Sequence, residues 1–156
     1  MQQLNYPEFN FQLRLKDNRE EVFDPVRRKF VALTPEEWVR QHLILYLVRF
    51  KDFPLSVIGV EKQLILNKQT KRFDLVVFSR NGNPLLLAEC KAPGVDITEK
   101  VFDQAARYNM MLRAEYFLIT NGLEHYPCRL DYINRQYIFI ADVPHYSETG
   151  QATAEV

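Results

Sequence analysis

The chain is expected to fold as an α/β domain, with a mixed central sheet flanked by helices and an extended N-terminal arm. Three observations predict this. The order of elements is helix, three strands, helix, strand and further strand. Asn81-Gly82 lies between two apolar runs, the strongest short-range hairpin signal. A helix separates the strand ending near Glu89 from the strand opening at Glu115. A connection that long suits a crossover to a parallel neighbour.

Taken in order, residues 1–33 read as an arm. Phe11 to Leu15 alternates as a strand does, Asp17-Asn18 offers a turn, Val22-Phe23-Asp24-Pro25 breaks the pattern, and Arg28 to Leu33 resumes an extended course. The core spans 34–144. Thr34 is the N-cap of a first helix, Pro35 its first residue, and Glu37 closes a capping box. This helix runs to about Phe50, with Val39, Leu43, Tyr46, Leu47 and Phe50 on one face. Leu55 to Leu66 reads as a strand, and residues 67–70 as a turn. Thr98 caps a second helix over 99–113, which directs Val101, Phe102, Ala105, Tyr108 and Leu112 to one side. Glu115 to Thr120 is a short strand stopped by Asn121-Gly122. Cys128 to Tyr132 and Gln136 to Ile140 form a closing hairpin around Asn134. The stretch 145–156 is small and polar and is expected to be a disordered tail.

Composition narrows the function. The 156 residues suit one domain, and 47% apolar residues with 11 Phe and 8 Tyr supply a core. No apolar run is long enough to span a membrane, and the first twelve residues lack a leader pattern, so a cytoplasmic protein is expected. Cys90 and Cys128 show neither metal-ligand spacing nor a disulfide framework. His42, His125 and His145 also lack metal spacing. Twenty basic and twenty acidic residues cancel, which argues against nucleic-acid binding by bulk charge. Arg27-Arg28-Lys29 and Lys68, Lys71 and Arg72 are local basic clusters, each taken alone a solvated surface.

The hairpin carries the chemistry. With Asn81 and Gly82 at its tip, Arg80 faces Asn83, Ser79 faces Pro84, and the register continues down to Asp74 facing Glu89. Their side chains then share one face, with Cβ atoms about 5 Å apart. Lys91, two residues beyond Glu89, points the same way. Like charges in direct opposition are unfavourable, and a hard divalent cation bound through oxygen removes the repulsion. Leu85 to Ala88 reads as a strand buried on both faces, a poor place to end on a charge without purpose.

Asp74 followed by Glu89-Cys90-Lys91 after an apolar strand resembles the D…ExK core of the PD-(D/E)xK nuclease superfamily, with Phe73 where proline often precedes the aspartate. Gln104 to Tyr108 is similar to the QxxxY motif of the RecB-like branch. Phe23 to Arg27 and Leu33 to Gln41 resemble the N-terminal domain family of the type I restriction enzyme R subunit. The resemblance covers roughly residues 20–122. It implies a restriction-endonuclease-like core and an Mg²⁺ or Mn²⁺ site held by Asp74, Glu89 and the Cys90 carbonyl, with Lys91 as the catalytic base or charge stabiliser. It also implies a further carboxylate from the first helix. Glu36 lies on the expected core-facing stripe, whereas Glu37 falls about 100° away and already has a capping role, so Glu36 is preferred. Glu61 is a third acidic candidate on the preceding strand, equally readable as the partner of a lysine. Gln104 shares the sheet-facing side with Val101 and Tyr108, and its amide needs a partner, for which the site carboxylates are nearest. Arg107 is a surface or phosphate-contacting residue.

The function expected is metal-dependent cleavage of phosphodiester bonds, in DNA, by a homodimer or with partner subunits of a larger nuclease complex. The alternative is a nuclease-fold DNA-binding or assembly module without activity of its own. The intact D…ExK residues favour the first; neutral charge favours the second.

Overall fold

The computed structural model describes residues 1–66 and 68–150. The arm is a three-stranded antiparallel sheet in the order β1 (Leu13–Lys16), β2 (Arg19–Asp24) and β3 (Lys29–Ala32). Asp17 and Asn18 both take positive φ, 52° and 61°, the requirement of a two-residue primed turn. Of the four residues expected to break the extended pattern, Val22, Phe23 and Asp24 still belong to β2, and the break comes at Pro25. Asp24 is fully buried, and its Oδ1 accepts the N–H groups of Val26 and Arg27, shaping the turn into β3.

Helix α1 (Pro35–Phe50) starts where expected, with Thr34 Oγ1 accepting the Glu37 N–H at 3.0 Å. The capping box is only half formed, because the Glu37 carboxylate turns away to bind arginines. A 3₁₀ turn (Leu55–Val57) takes the first residues of the stretch expected as strand, and β4 (Ile58–Leu66) follows. Gln69 and Thr70, expected in a turn, open β5 (Gln69–Phe78), and Asn67 lies outside the described residues. The rest is β6 (Pro84–Cys90), α2 (Glu99–Met110), β7 (Tyr116–Thr120), β8 (His125–Asp131) and β9 (Gln136–Phe139).

These strands form one sheet in the order β4-β5-β6-β7-β8-β9, antiparallel except for β6 and β7, which run parallel across the α2 crossover. The two helices cover opposite faces. Val39, Leu43 and Leu47 of α1 pack on Leu75, Val77, Leu86 and Leu118. Phe102 and Ala106 of α2 pack on Val76, Leu87, Phe117 and Ile119. The stretch from His145, expected to be disordered, begins with a 3₁₀ turn (Tyr146–Thr149): the Tyr146 N–H donates to Lys51 O at 2.8 Å and its ring meets Phe53. Residues 151–156 lie outside the described residues. Among the described residues, no helix is long and apolar enough to cross a membrane.

Candidate active site

The β5–β6 hairpin brings the first two carboxylates together by a route the sequence did not indicate. Its tip is not the two-residue Asn81-Gly82 turn. Ser79 N–H donates to Asn83 O at 2.7 Å and Gly82 N–H donates to Ser79 O at 3.0 Å, so the loop has three residues. Only Gly82 within it has positive φ, 86°. The longer closure pairs Phe78 with Pro84, one step out of the expected register. A bulge at Leu85 restores it, giving Val77 opposite Leu86 and Leu75 opposite Ala88. The two departures cancel before the ladder reaches Asp74 and Glu89.

Beyond Leu75 and Ala88 the strands part. Asp74 Oδ2 accepts the Cys90 N–H at 2.8 Å, so the side chain replaces a backbone rung. Lys91 N–H donates to Thr120 O across β7, anchoring the end of the β6 segment. Asp74 and Glu89 line a cavity of about 290 Å³, with Gln104 and Tyr108 on its α2 wall. Lys91 Nζ lies 3.7 Å from Glu89 Oε2, and both side chains are just over one-third exposed. Gln104, expected to face the sheet and pair with the carboxylates, is exposed at this cavity, since the buried stripe of α2 is Phe102, Ala106 and Asn109. Tyr108 is half-buried, with Lys71 Nζ 3.8 Å from its ring centroid. Arg107 is exposed and paired with Asp103.

The first-helix glutamates exchange the places expected for them. Glu37 is buried and Glu36 is exposed. Glu37 accepts from Arg27 Nη2 at 2.7 Å, Arg40 Nη1 at 2.5 Å and Gln41 Nε2 at 2.9 Å. Glu36 remains near the site through Arg40, whose Nη2 is 3.3 Å from Glu36 Oε1 and 3.5 Å from Asp74 Oδ1. Partial burial and the Asp74 charge hold the Glu36 carboxyl above its ordinary pKa, with Arg40 and Lys91 offsetting part of the shift. Glu61 pairs with arginines rather than a lysine: Arg27 at 3.3 Å, Arg72 at 3.1 Å and Arg40 at 3.8 Å. Its own backbone is left-handed, φ 50°.

Arg40 was not legible as a site residue, nor was Arg27, which belonged to a cluster expected to be solvated surface. Arg40 is 3% exposed and links Glu36, Glu37 and Asp74. The available signal was its place four residues after Glu36, three after Glu37, and in the stripe of Leu43 and Leu47. A charge there needs buried partners. His42 and His125, by contrast, are structural. The first meets Trp38 O, and the second joins Thr120 to Asn5.

The donor set tests the fit of a metal. Asp74, Glu89 and the Cys90 carbonyl offer only hard oxygen atoms, which suits Mg²⁺ or Mn²⁺. Burial and the Asp74 charge raise the Cys90 pKa well above normal, so its sulfur stays a neutral thiol. Among the described residues, no group of three or more His, Cys, Asp or Glu side chains is close enough to hold an ion. One or two carboxylates with water satisfy Mg²⁺, so the pair fits it without Glu36 as a direct ligand.

Residues 35–144 match the family model described as type I restriction enzyme R protein N terminus. Among solved structures, the chain is similar to a fragment of a protein assigned as the HsdR subunit of a type I restriction enzyme from Vibrio vulnificus YJ016. The two share 19% identity at a TM-score of 0.51, over 77% of this chain and 25% of the other, and the likeness is one of fold. This chain therefore corresponds to about a quarter of that relative. No match was found among curated proteins.

Proposed function

Because the chain belongs to the type I restriction enzyme R protein N-terminal family, we propose that it is a Mg²⁺-dependent nuclease module that hydrolyses phosphodiester bonds in DNA. The observation that carries this reading is the shared cavity of Asp74 and Glu89, with Lys91 Nζ 3.7 Å from Glu89. Asp74, Glu89 and the Cys90 carbonyl hold the ion, which when bound makes water more acidic and offsets phosphate charge. The Cys90 N–H fixes the orientation of Asp74. Lys91, held beside Glu89, positions the attacking water and places positive charge where phosphate charge develops. Gln104 orients water or phosphate from the α2 wall. The Arg40 guanidinium positions Asp74 by holding Oδ1.

A second reading, a DNA-binding or assembly module without activity of its own, is favoured by one feature. Arg40 already partners both Glu36 and Asp74, so part of the acidic charge is compensated within the chain. Under either reading, the larger partner is the remainder of an R-type subunit, in line with the quarter-length match. The homodimer expected from size gains no support.

The test is cleavage of linear, nicked, branched and single-stranded DNA with Mg²⁺ or Mn²⁺, for the parent and Lys91→Ala. Lys91→Ala is expected to keep the fold and lose at least about a hundredfold in rate, the scale of one proton-transfer or charge-stabilising group. If the parent cuts none of these substrates and Lys91→Ala changes binding alone, the module reading replaces the nuclease reading.

A further inference from the structure

The β4–β5 hairpin reaches beyond the sheet. β5 pairs with β6 only from Leu75 to Phe78, whereas it pairs with β4 as far as Gln69 opposite Leu66. From Lys62 opposite Phe73 outward, the two strands pair only with each other, as a two-stranded ribbon. At about 3.3 Å per residue, its five paired positions extend roughly 16 Å. From Lys62 to Phe73 there is no acidic residue, but there are Lys62, Lys68, Lys71 and Arg72, in a chain whose net charge is zero. The charge balance of the whole molecule conceals this local excess.

The ribbon's register sorts these charges. Lys62 lies opposite Phe73, and Lys71 opposite Leu64. Directly opposed residues share a face, and alternate residues along a strand share it too. Phe73 is buried in the core on the α2 side, and Lys71 lies over Tyr108 of α2. Lys62 and Lys71 therefore share the face turned towards α2 and the cavity. Lys71 lines that cavity with Asp74 and Glu89. Lys68 is exposed near the hairpin's end. Arg72 also borders the cavity, but it is bound to Glu61 and is left out of this set.

We infer that this ribbon is a grip for the phosphate backbone of duplex DNA, with Lys62, Lys68 and Lys71 leading the strand towards the Asp74–Glu89 cavity. A two-stranded ribbon fits the major groove, and lysines neutralise phosphates as point charges without reading sequence. Duplex rather than single-stranded DNA is assigned because the ribbon offers no open aromatic face for stacking bases. Phe73 is buried, and one face of neighbouring Tyr108 is covered by Lys71. The assignment rests on the nuclease-module reading for its substrate class.

The experiment measures duplex binding in EDTA over a salt series, so that binding is read without cleavage. In Lys62→Gln/Lys68→Gln/Lys71→Gln, affinity near 0.1 M salt is expected to fall at least about tenfold and the log–log salt slope to lose about two to three units. A Lys→Arg triple variant should restore both, which excludes loss of fold as the cause. Unchanged slope in the Gln variant, absence of duplex binding by the parent, or tighter binding of single strands would overturn the inference. Duplex bound through the ribbon but never cut with either metal would overturn the nuclease reading alone. Cleavage with a ribbon-independent salt slope would overturn the ribbon alone.

Discussion

On the α1 side of β5, acidic side chains are consumed by arginines. Glu37 is buried against Arg27, Arg40 and Gln41, Asp24 holds Arg27 at 2.6 Å, and Glu61 meets three guanidinium groups. On the cavity side, Asp74 and Glu89 are 26% and 37% exposed, and each keeps acceptor capacity facing open space. Their ionic contacts, Arg40 at 3.5 Å and Lys91 at 3.7 Å, are looser than the 2.5–2.7 Å contacts of Glu37. Two acidic neighbourhoods a few residues apart therefore differ in kind. The first has its charges paired, with Asp24, Glu37 and Arg40 buried at its centre, and it joins the arm to the core. The second remains hydrated and only partly compensated, a condition suited to receiving a cation.

The sharpest way to break this comparison is to remove a carboxylate from the paired side. Glu37→Ala leaves two guanidinium groups facing each other with little water, and loss of one partner from a buried ionic network costs about 3–5 kcal/mol. Urea unfolding should show a fall of that size. A loss below about 1 kcal/mol would place Glu37 in the class of surface pairs and erase the contrast.

Removing a charge on the cavity side is expected to act in another way. Asp74→Asn keeps an oxygen to accept the Cys90 N–H, and a partly exposed pair at 3.5 Å contributes at most about 1 kcal/mol. Stability without metal should stay within that range of the parent. The difference should emerge with the ion: Mg²⁺ or Mn²⁺ raises the melting temperature of the parent, because a ligand bound only by the folded state stabilises it, and Asp74→Asn loses most of the rise. A parent that shows no shift at millimolar metal would contradict the proposed metal site.

The same contrast explains what could be read in advance. The element order along the core, the parallel crossover and both helix N-caps follow from local signals that tertiary structure did not override. The hairpin register matches expectation as far as Leu75 opposite Ala88, although the hairpin tip does not. The Leu85 bulge, which offsets the three-residue loop, has no marker in an all-apolar run. The glutamates of α1 were exchanged because the stripe argument assumes a helix with one buried face. Here the arm covers a second face, with Phe11 against Trp38 and His42, so Glu37, Arg40, Gln41 and His42 are all buried. The arm–helix network was invisible for the same reason: Asp24, Arg27 and Glu37 meet only after the arm has folded back onto the helix. α2 lies against the sheet alone, and there the residues expected to be apolar contacts were read more closely, except that Val101 and Gln104 lie outside the buried stripe.

The smallest effect sharpens the boundary between the two neighbourhoods, where Glu36 stands. Its pKa is raised above the ordinary value of 4.5, through partial burial and then through Asp74. The folded state therefore holds the Glu36 proton more tightly than the unfolded chain does. Between pH 4.5 and the raised value, the native state binds more protons than the unfolded state, so this group's contribution to stability is present at low pH and lost as pH rises through that window. Glu36→Gln removes the titration. At neutral pH without metal its melting temperature should slightly exceed the parent's, and the gain should vanish as pH falls below 4.5, where Glu36 of the parent is protonated in both states. The Arg40 contact at 3.3 Å works against the gain, which keeps it small. Saturating Mg²⁺ should narrow it further, because a cation at Asp74 cancels the charge that Glu36 faces. Superimposable melting curves for parent and variant across this pH range, with and without metal, would show that Glu36 is uncoupled from Asp74 and belongs to neither neighbourhood.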